Sequence, residues 1–348
     1  MTDESRPVRA EDAFDVDAVT TWLDRGPITE VRQFPGGASN LTYLLRMGSG
    51  EELILRRPPA GTKAKGAHDM SREYRIQAGL AKVFPQVAHM VAYASADESP
   101  IGAELYVMER VVGRIPRRDF GFEITPEQTS ELCRAAADTL VALHDADVMS
   151  VPDLAALAKG DGYVRRQVDG WTARLANAAT DDMGDWSDIT AWLAERQPAD
   201  VGRCMVHNDY RFDNMVLGED DPTRIVALLD WELATVGDPL MDLGGALAYW
   251  VQADDDEFFL LFRRQPTTAP GMWTRTEFRD HYLAARGLTV SDAEWRFYEV
   301  FGLFRLAVIA QQIWYRYYHR QTTNEAYASF GPAVGYLETR CRAILEGA

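Results

Sequence analysis

A change of pattern near residue 112 constrains the fold of this chain more than any other feature of its sequence. The β-rich segments before it, separated by turn-forming residues, are 28–34, 41–47, 52–57, 91–95 and 103–111. One helix is predicted among them, over 71–84 with Ser71 as its N-cap. The segments with helical periodicity after the change are 125–147, 163–178, 189–196 and 291–320. The sequence therefore predicts an α+β protein, with an antiparallel five-stranded lobe over residues 1–110 and a mostly helical lobe over residues 111–348.

Charge, cysteine content and apolar runs exclude several classes of protein. The net charge of −17 argues against nucleic-acid binding, because no excess of basic residues offsets repulsion by phosphates. The three cysteines form no CxxC pair, so we expect neither a disulfide framework nor a zinc site. The first residues lack a basic start followed by an apolar run, and no apolar stretch approaches about 18 residues. We therefore expect a cytoplasmic protein without a membrane span.

A polar loop interrupts the helical half of the chain. The sequence HNDYRFDN contains His207, Asp209 and Asn214, and Asp230 ends the next apolar strand. Phosphoryl transfer requires a carboxylate to orient the acceptor hydroxyl, oxygen ligands for Mg²⁺, and cations that offset phosphate charge. A carboxylate and an amide on one rigid loop, followed by a strand-end aspartate, meet the first two requirements. The alternative is a polar loop of purely structural role, but the ordered set of four residues favours phosphoryl transfer.

These motifs resemble the aminoglycoside phosphotransferase family of kinase-like enzymes, which includes choline and homoserine kinases. The segments GGASNLTYLL, LILRRPP, YVMERVVG and LLDWELATVGDPLMDLG are more similar to kinase-like domains associated with some acyl-CoA dehydrogenases. The resemblance implies a bilobal protein-kinase-like fold and an ATP-dependent phosphotransferase whose acceptor is an alcohol group. It also implies a functional link to an acyl-CoA dehydrogenase.

The same resemblance implies a role for each residue around the polar loop. Asp209 would be the catalytic base or would orient the acceptor hydroxyl. Asn214 and Asp230 would bind Mg²⁺, and Glu232 would be an auxiliary group near the metal. His207 would brace the loop through hydrogen bonds to the backbone or to Asp230, without ligating the metal.

A helix start follows the strand-end aspartate. The Gly-Asp-Pro triplet predicts a helix with Asp238 as its N-cap and Pro239 in its first turn. The resemblance makes Asp238 and Asp242 conformational braces of the catalytic region. This helix begins eight residues after Asp230, which leaves no room for the long activation segment of a regulated protein kinase. A small-molecule acceptor is therefore favoured over a protein.

Candidate nucleotide-binding residues come from the first lobe. A glycine-containing turn between the first two strands offers its backbone to phosphates, and its candidate residues are Gly36, Gly37, Ser39 and Asn40. Kinases carry a lysine on the third strand that pairs with a helix glutamate. Here Arg56 takes that position, with Glu73 as its partner, and an arginine also clamps phosphates. Arg57 is the less suitable neighbour, because adjacent strand residues point to opposite faces.

The segment YVMERVVG resembles the kinase hinge that binds the purine edge. Met108 would line the purine pocket, and backbone groups from Glu109 to Val111 would bind the base. Such backbone contacts do not distinguish ATP from GTP. We therefore expect ATP as the co-substrate, with GTP as an alternative.

Two segments suggest different acceptors. The acidic run QADDDEFF (252–259) would suit a polycationic aminoglycoside, although a helix N-terminus with a solvated face is the alternative. Arg305, Gln312 and Arg316 recur on one face of the long helical segment, among aromatic residues. This face would suit an anionic or acyl-bearing substrate, although a solvated amphipathic helix is the alternative. We predict a hydroxyacyl-CoA or hydroxy acid; the alternatives are an aminoglycoside, or a nucleotide-binding module without catalysis.

Overall fold

The computed structural model describes residues 5–35, 40–59 and 69–347, which form two compact units. The first unit comprises Met1–Ile115, Asp147–Ala155 and Met215–Ala234. The second unit comprises Pro116–Ala146, Ala156–Asn214 and Thr235–Ala348. The division of function on either side of residue 110 stays a prediction.

Strands predominate in the first part of the described chain and helices in the rest, where β7 to β10 interrupt them. The strands are β1 (Arg6–Pro7), β2 (Ile28–Gln33), β3 (Leu41–Met47), β4 (Glu52–Arg57), β5 (Met90–Ala94), β6 (Leu105–Glu109), β7 (Cys204–Val206), β8 (Met215–Leu217), β9 (Ile225–Leu228) and β10 (Thr235–Gly237). The helices are α1 (Val16–Leu23), α2 (Met70–Leu80), α3 (Pro126–Asp145), α4 (Pro152–Ala155), α5 (Tyr163–Asn177), α6 (Ser187–Glu195), α7 (Pro239–Ala248), α8 (Glu257–Leu261), α9 (Arg275–Ala285), α10 (Asp292–Tyr318) and α11 (Phe330–Glu346).

An antiparallel sheet organises the first unit, in the order β1-β2-β3-β4-β6-β5. The five predicted strands are present, and the two-residue strand β1 is an additional sixth. Side chains alternate between the two faces of the sheet. Tyr43 and Leu45 pack with Val19 of α1 on one face, whereas Leu44 packs with Met70 of α2 on the other. The sheet is thus covered by one helix on each face.

The start of α2 differs from the sequence prediction. Asp69, not Ser71, is the N-cap, and its carboxylate accepts a hydrogen bond from the Arg72 N–H at 2.8 Å. Both residue types are favourable caps, and the aspartate lies two positions earlier. The helix is consequently Met70–Leu80, one residue earlier at its start and four shorter at its end than the predicted 71–84.

Helices dominate the second unit, and their starts carry strong sequence signals. Thr125 forms a capping box with Gln128 at the start of α3, and Ser291 forms one with Glu294 at the start of α10. Asp238 caps α7, as the Gly-Asp-Pro triplet predicts. The two-stranded ladder of β7 and β10 holds the start of the polar loop beside the start of α7.

The longest helix, α10, has 27 residues and packs closely against α7. A Cβ at Gly302 would lie 2.3 Å from the carbonyl oxygen of Gly244, so the two backbones approach each other at a distance that only glycine permits. Within the three described ranges, no helix is both long enough and apolar enough to cross a membrane.

All three cysteines are buried and none forms a disulfide. Burial raises the pKa of the Cys133 and Cys341 thiols to about 12. Burial also raises the pKa of Cys204 well above its ordinary value. The thiols therefore act as small apolar side chains of the core.

Candidate active site

The polar loop after β7 holds a carboxylate and an amide in direct contact. The Nδ2 atom of Asn214 donates to the backbone oxygen of Asp209 at 2.9 Å and to its Oδ2 atom at 2.8 Å. Both bonds use the amide nitrogen, so neither occupies the amide oxygen, which is the atom that would ligate a metal. The arrangement fixes the orientation of the Asp209 carboxylate.

His207 and Asp242 shape the backbone that precedes Asp209. The Asp242 carboxylate accepts hydrogen bonds from the N–H groups of His207 and Asn208, each at 2.7 Å. Asn208 has a φ of 63°, a left-handed conformation that non-glycine residues adopt at an energetic cost. The buried His207 ring accepts a hydrogen bond from the Asp209 N–H at 3.3 Å through Nδ1. His207 thus contacts the backbone of the loop.

Asp242 is itself held by a buried partner. The Nε2 atom of His144 lies 3.1 Å from the Asp242 carboxylate, and the hydroxyl of Tyr282 lies 2.6 Å from Nδ1 of the same ring. Burial works against the charged carboxyl, but the pairing with His144 and the contacts with His207 favour it more. The pKa of Asp242 is therefore lowered from its ordinary value.

Arg305, which the sequence suggests as a substrate contact, is buried and points to the same loop. Its guanidinium donates to the backbone oxygen of Asn208 at 2.5 Å and lies over the ring of Trp171 at 5.3 Å. This contact braces the left-handed residue before Asp209. Gln312 and Arg316, further along α10, are exposed, and their substrate roles stay predictions.

Arg211 is a site residue that the sequence prediction missed. Its Nε atom lies 3.2 Å from Oδ1 of Asp209, and its NH2 atom lies 3.1 Å from the Asp213 carboxylate. The guanidinium also covers the Tyr249 ring at 4.9 Å. Burial raises the pKa of Asp213, against the opposing effect of Arg211. The signal in the sequence is the position of Arg211, two residues after Asp209.

Arg211 also lines a cavity of about 250 Å³ in the second unit. Most of its lining is apolar or aromatic, and α10 and α11 supply four residues each. The lining includes Arg211, Tyr249, Phe259, Arg264, Ile309 and Tyr336. Among the described lining residues there are two arginines and no aspartate or glutamate. The cavity is suited to an apolar ligand that carries a group able to accept hydrogen bonds from arginine.

The acidic run at 252–259 is engaged in structural contacts. Asp255 accepts hydrogen bonds from Arg275 at 2.6 and 2.8 Å and from Arg340 at 2.8 Å. Asp256 caps α8 and accepts a hydrogen bond from Tyr336. These two carboxylates therefore hold helices together.

In the first unit, Arg56, not Arg57, pairs with Glu73. The Arg56 guanidinium donates to Glu73 and, at 3.1 Å, to the Tyr106 hydroxyl, which in turn donates to Glu73 at 2.6 Å. Burial acts against the charge of Arg56, but Tyr106, Glu73 and Asp230 together raise its pKa. Arg57 lies on the opposite face and donates to the backbone oxygen of Asp12 at 2.7 Å.

Asp230 lies two residues after the end of β9 and has a left-handed backbone, with φ and ψ both 64°. Its Oδ1 atom lies 3.7 Å from the NH2 atom of Arg56. In the described part of the chain, this buried oxygen accepts no hydrogen bond. A buried carboxylate oxygen without a donor fits a ligand of Mg²⁺, which prefers oxygen and is commonly held by one or two carboxylates together with phosphate oxygens.

The other residues that the sequence predicts to contact the nucleotide differ in burial, and three of them lie outside the described residues. Gly36, Gly37 and Ser39 lie outside the described residues. Asn40 is buried, with its Nδ2 atom 3.5 Å from Glu73. Met108 is buried and Glu109 is exposed at the end of β6, while Val111 is half-buried. Their contacts with a purine stay predictions.

Comparison with known proteins identifies the family. Residues 30–296 match the family described as the phosphotransferase enzyme family, APH. The match extends over most of the chain, from β2 to the start of α10. The chain belongs to this phosphotransferase family.

Two curated relatives confirm the more specific resemblance. Acyl-CoA dehydrogenase family member 11 of Mus musculus is 31% identical, over 93% of this chain and 42% of its own length. Acyl-CoA dehydrogenase family member 10 of the same organism is 32% identical, over 96% of this chain and 31% of its own length. The chain thus spans less than half the length of either relative.

Solved structures confirm the kinase-like α+β fold. A proposed aminoglycoside phosphotransferase from Ralstonia eutropha has a TM-score of 0.81 and 27% identity, covering 97% of this chain and 99% of that one. The ADP-bound aminoglycoside phosphotransferase APH(2'')-Ib has a TM-score of 0.60, with 95% and 99% of the two chains covered. Its identity is 15%, so that likeness concerns the fold alone.

Proposed function

We propose that the protein transfers the γ-phosphoryl group of ATP to a hydroxyl group of a small acyl metabolite, such as a hydroxyacyl-CoA or a hydroxy acid. Membership of the phosphotransferase family supports the reaction class. One observation carries the more specific proposal: Asp209 is held by Asn214 on one side and contacts Arg211, a cavity-lining residue, on the other.

In this reaction Asp209 accepts a hydrogen bond from the acceptor hydroxyl and takes up its proton. A bond forms between the hydroxyl oxygen and the γ-phosphorus, while the bond from that phosphorus to the β–γ bridging oxygen breaks and ADP leaves. The two bonds from Asn214 keep Asp209 in one orientation, so the carboxylate need not be ordered when the acceptor binds.

Asn214 and Asp230 would hold Mg²⁺, which when bound offsets the negative charge of the phosphates. The buried, acceptor-only Oδ1 atom of Asp230 supports this assignment. Arg56 remains charged at any physiological pH and is fixed by Glu73 and Tyr106, as a phosphate clamp requires. Gly36, Gly37 and Ser39, which lie outside the described residues, would also contact the phosphates, and GTP stays an alternative to ATP.

The cavity supports an acyl acceptor over an antibiotic. An aminoglycoside is a polycation and requires carboxylates, whereas the described cavity lining offers Arg211 and Arg264. Asp255, the most buried carboxylate of the acidic run, already has two arginine partners. An apolar chain would fill the cavity, and an arginine would bind a carbonyl or carboxylate oxygen of the acceptor.

A binding module without catalysis is the second alternative. It is less well supported, because Asp209, Asn214 and Asp230 are all present with the contacts described above. The names of the curated relatives support a functional link to an acyl-CoA dehydrogenase. A cytoplasmic location stays a prediction.

An ATP-consumption screen tests the proposal directly. The acceptor panel would comprise hydroxyacyl-CoAs, hydroxy acids, amino alcohols and aminoglycosides, each assayed with and without Mg²⁺. We expect turnover with a hydroxylated acyl compound, and the deoxy acyl compound of the same chain length serves as the control. Turnover of aminoglycosides alone would refute the acceptor class. A thermal shift with ATP and Mg²⁺ but no turnover across the panel would favour the binding module.

A further inference from the structure

Arg72 on α2 is a half-buried arginine with no part in the chemistry described so far. Its guanidinium donates hydrogen bonds to the backbone oxygens of Glu232, at 2.8 Å, and of Ala234. These two residues belong to the short segment that follows Asp230. The first unit thus ties a helix to a segment 160 residues later in the chain.

The tie matters because the backbone at Asp230 is strained. A left-handed conformation is unfavourable for a residue with a Cβ, and it persists where surrounding contacts over-determine it. Such residues concentrate at functional sites. The contacts around Asp230 therefore indicate what keeps its carboxylate in place.

Among the described residues, three contacts tie the backbone around Asp230 to α2 or to the residues just after it. Before the aspartate, the Leu228 N–H donates to the backbone oxygen of Gln86 at 2.9 Å. Just after it, the fully buried Trp231 ring meets Phe84 edge-on, with the ring centroids 6.3 Å apart. Arg72 supplies the third contact, at the end of the segment.

Glu73, the next residue of α2, holds the side chain of Arg56. Glu73 directly follows Arg72 and pairs with Arg56, the proposed phosphate clamp. Two consecutive residues of α2 thus hold Arg56 through its side chain and the Asp230 segment through its backbone. In protein kinases the position of the corresponding helix controls the lysine–glutamate pair. Here the same helix is also fastened to the segment beside the metal-binding aspartate.

We propose that Arg72 is a positioning residue that sets the backbone of Asp230 for a divalent cation. The inference rests on the proposed function, because it gives Asp230 the role of a metal ligand. Arg72 itself touches neither metal nor nucleotide in this assignment. It acts by holding residues 232–234, so that the strained conformation at Asp230 is already formed before the cation binds.

The test compares Arg72→Gln with a matched control on the same helix. Arg75 is exposed, and among the described residues its guanidinium donates to the Ser71 backbone oxygen within its own helix. Arg75→Gln therefore removes a charge without touching the segment. Arg72→Lys retains the charge but loses the fork that reaches two oxygens. Melting temperatures without ligand report whether each variant is folded.

Two readouts separate positioning from general destabilisation. In ligand-free protein, amide hydrogen exchange at residues 229–234 should accelerate in Arg72→Gln and stay unchanged in Arg75→Gln. In calorimetric titrations of ATP at graded Mg²⁺, the half-saturating Mg²⁺ concentration should rise about tenfold in Arg72→Gln, which corresponds to about 1.4 kcal/mol. Arg72→Lys should give an intermediate value.

Equal exchange and equal Mg²⁺ dependence in Arg72→Gln and Arg75→Gln would overturn the positioning role. If Arg72→Gln does not fold, Arg72→Lys decides: a raised Mg²⁺ requirement supports the role, and wild-type values overturn it. Failure of the proposed function is recognised separately. In that case the wild-type protein itself shows no Mg²⁺-dependent nucleotide binding, and the inference falls with it.

Discussion

The Asp242 carboxylate accepts a hydrogen bond from the backbone N–H of Asn208 at 2.7 Å, directly before the proposed catalytic aspartate. The second carboxylate oxygen accepts from the His207 N–H at the same distance. A side chain in the first turn of α7 thus fixes a left-handed residue of the loop. These contacts hold the backbone that precedes Asp209, although Asp242 has no part in the proposed chemistry.

Asp242→Asn should lower kcat about 100-fold while leaving nucleotide affinity within a few-fold, because a displacement of about 1 Å at a catalytic group has effects of this size. An amide cannot accept through both atoms, so one N–H group of the loop loses its partner. Steady-state kinetics with the acceptor found in the screen measure the effect, and exposed Asp254→Asn is the control. An unchanged kcat would show that Asp242 serves stability only.

The lowered pKa of Asp242 predicts a pH dependence of stability. Since the folded-state pKa lies below the unfolded value, the charged carboxyl contributes its full stabilisation above about pH 4 and loses it as the pH falls through the lowered pKa. The free energies of unfolding of the wild type and of Asp242→Asn, measured in urea, should therefore differ most near neutral pH. The difference should shrink below about pH 4. A constant difference between pH 7 and pH 3 would contradict this assignment.

Asp209→Asn should reduce kcat at least about 100-fold, because the amide cannot accept the proton of the hydroxyl. Nucleotide affinity should change by no more than a few-fold. Single-turnover kinetics and calorimetry measure the two quantities separately. Exposed Asp220→Asn is a control with the same change of charge. Equal losses of binding and turnover would remove Asp209 from the catalytic step.

Asp230→Ala should abolish the Mg²⁺-dependent part of nucleotide binding, since it removes the buried carboxylate oxygen that accepts no hydrogen bond from the described residues. Calorimetry of ATP with and without Mg²⁺ gives that part directly. Glu232→Gln should be measured in the same way. If its Mg²⁺-dependent nucleotide binding equals that of the wild type, Glu232 does not bind the metal. Mg²⁺-dependent binding that survives in Asp230→Ala would remove Asp230 from the metal site.

Arg211→Gln should raise the KM for the acceptor about tenfold or more, the loss expected for a charged hydrogen bond, and should leave the KM for the nucleotide unchanged. Its kcat should also fall, because Arg211 contacts Asp209. Arg264 lines the same cavity but does not have that contact with Asp209. In Arg264→Gln, therefore, only the KM for the acceptor should change. If both variants kept the wild-type acceptor KM, the cavity would not be the acceptor site.

Local signals made much of the fold predictable. The caps at Thr125, Asp238 and Ser291 are short-range motifs, and each helix begins where its motif indicates. Strand β4 matches its prediction because its β-rich segment directly follows the turn-forming residues GSGE. Strand β1 has only two residues and pairs with β2 across a long separation, so no local pattern indicated it.

Part of the candidate site was predictable from sequence motifs, and part was not. Family motifs led to Arg56, Glu73, Asp209 and Asn214, which the structure joins into two contacting pairs. The contacts of Arg72, Tyr106 and Arg305 were not predictable, because each joins elements far apart in sequence. The periodicity of α10 grouped Arg305 with Gln312 and Arg316 on one helix face, but only packing determined that Arg305 is buried.

The buried cysteines have a practical consequence for studying the enzyme in solution. With pKa values near 12 for Cys133 and Cys341 and a raised value for Cys204, almost no thiolate exists at neutral pH, and access is blocked as well. The native chain should therefore be nearly inert to maleimide dyes. One cysteine introduced on the surface could then carry a fluorophore at a single, defined position, without prior removal of the native thiols.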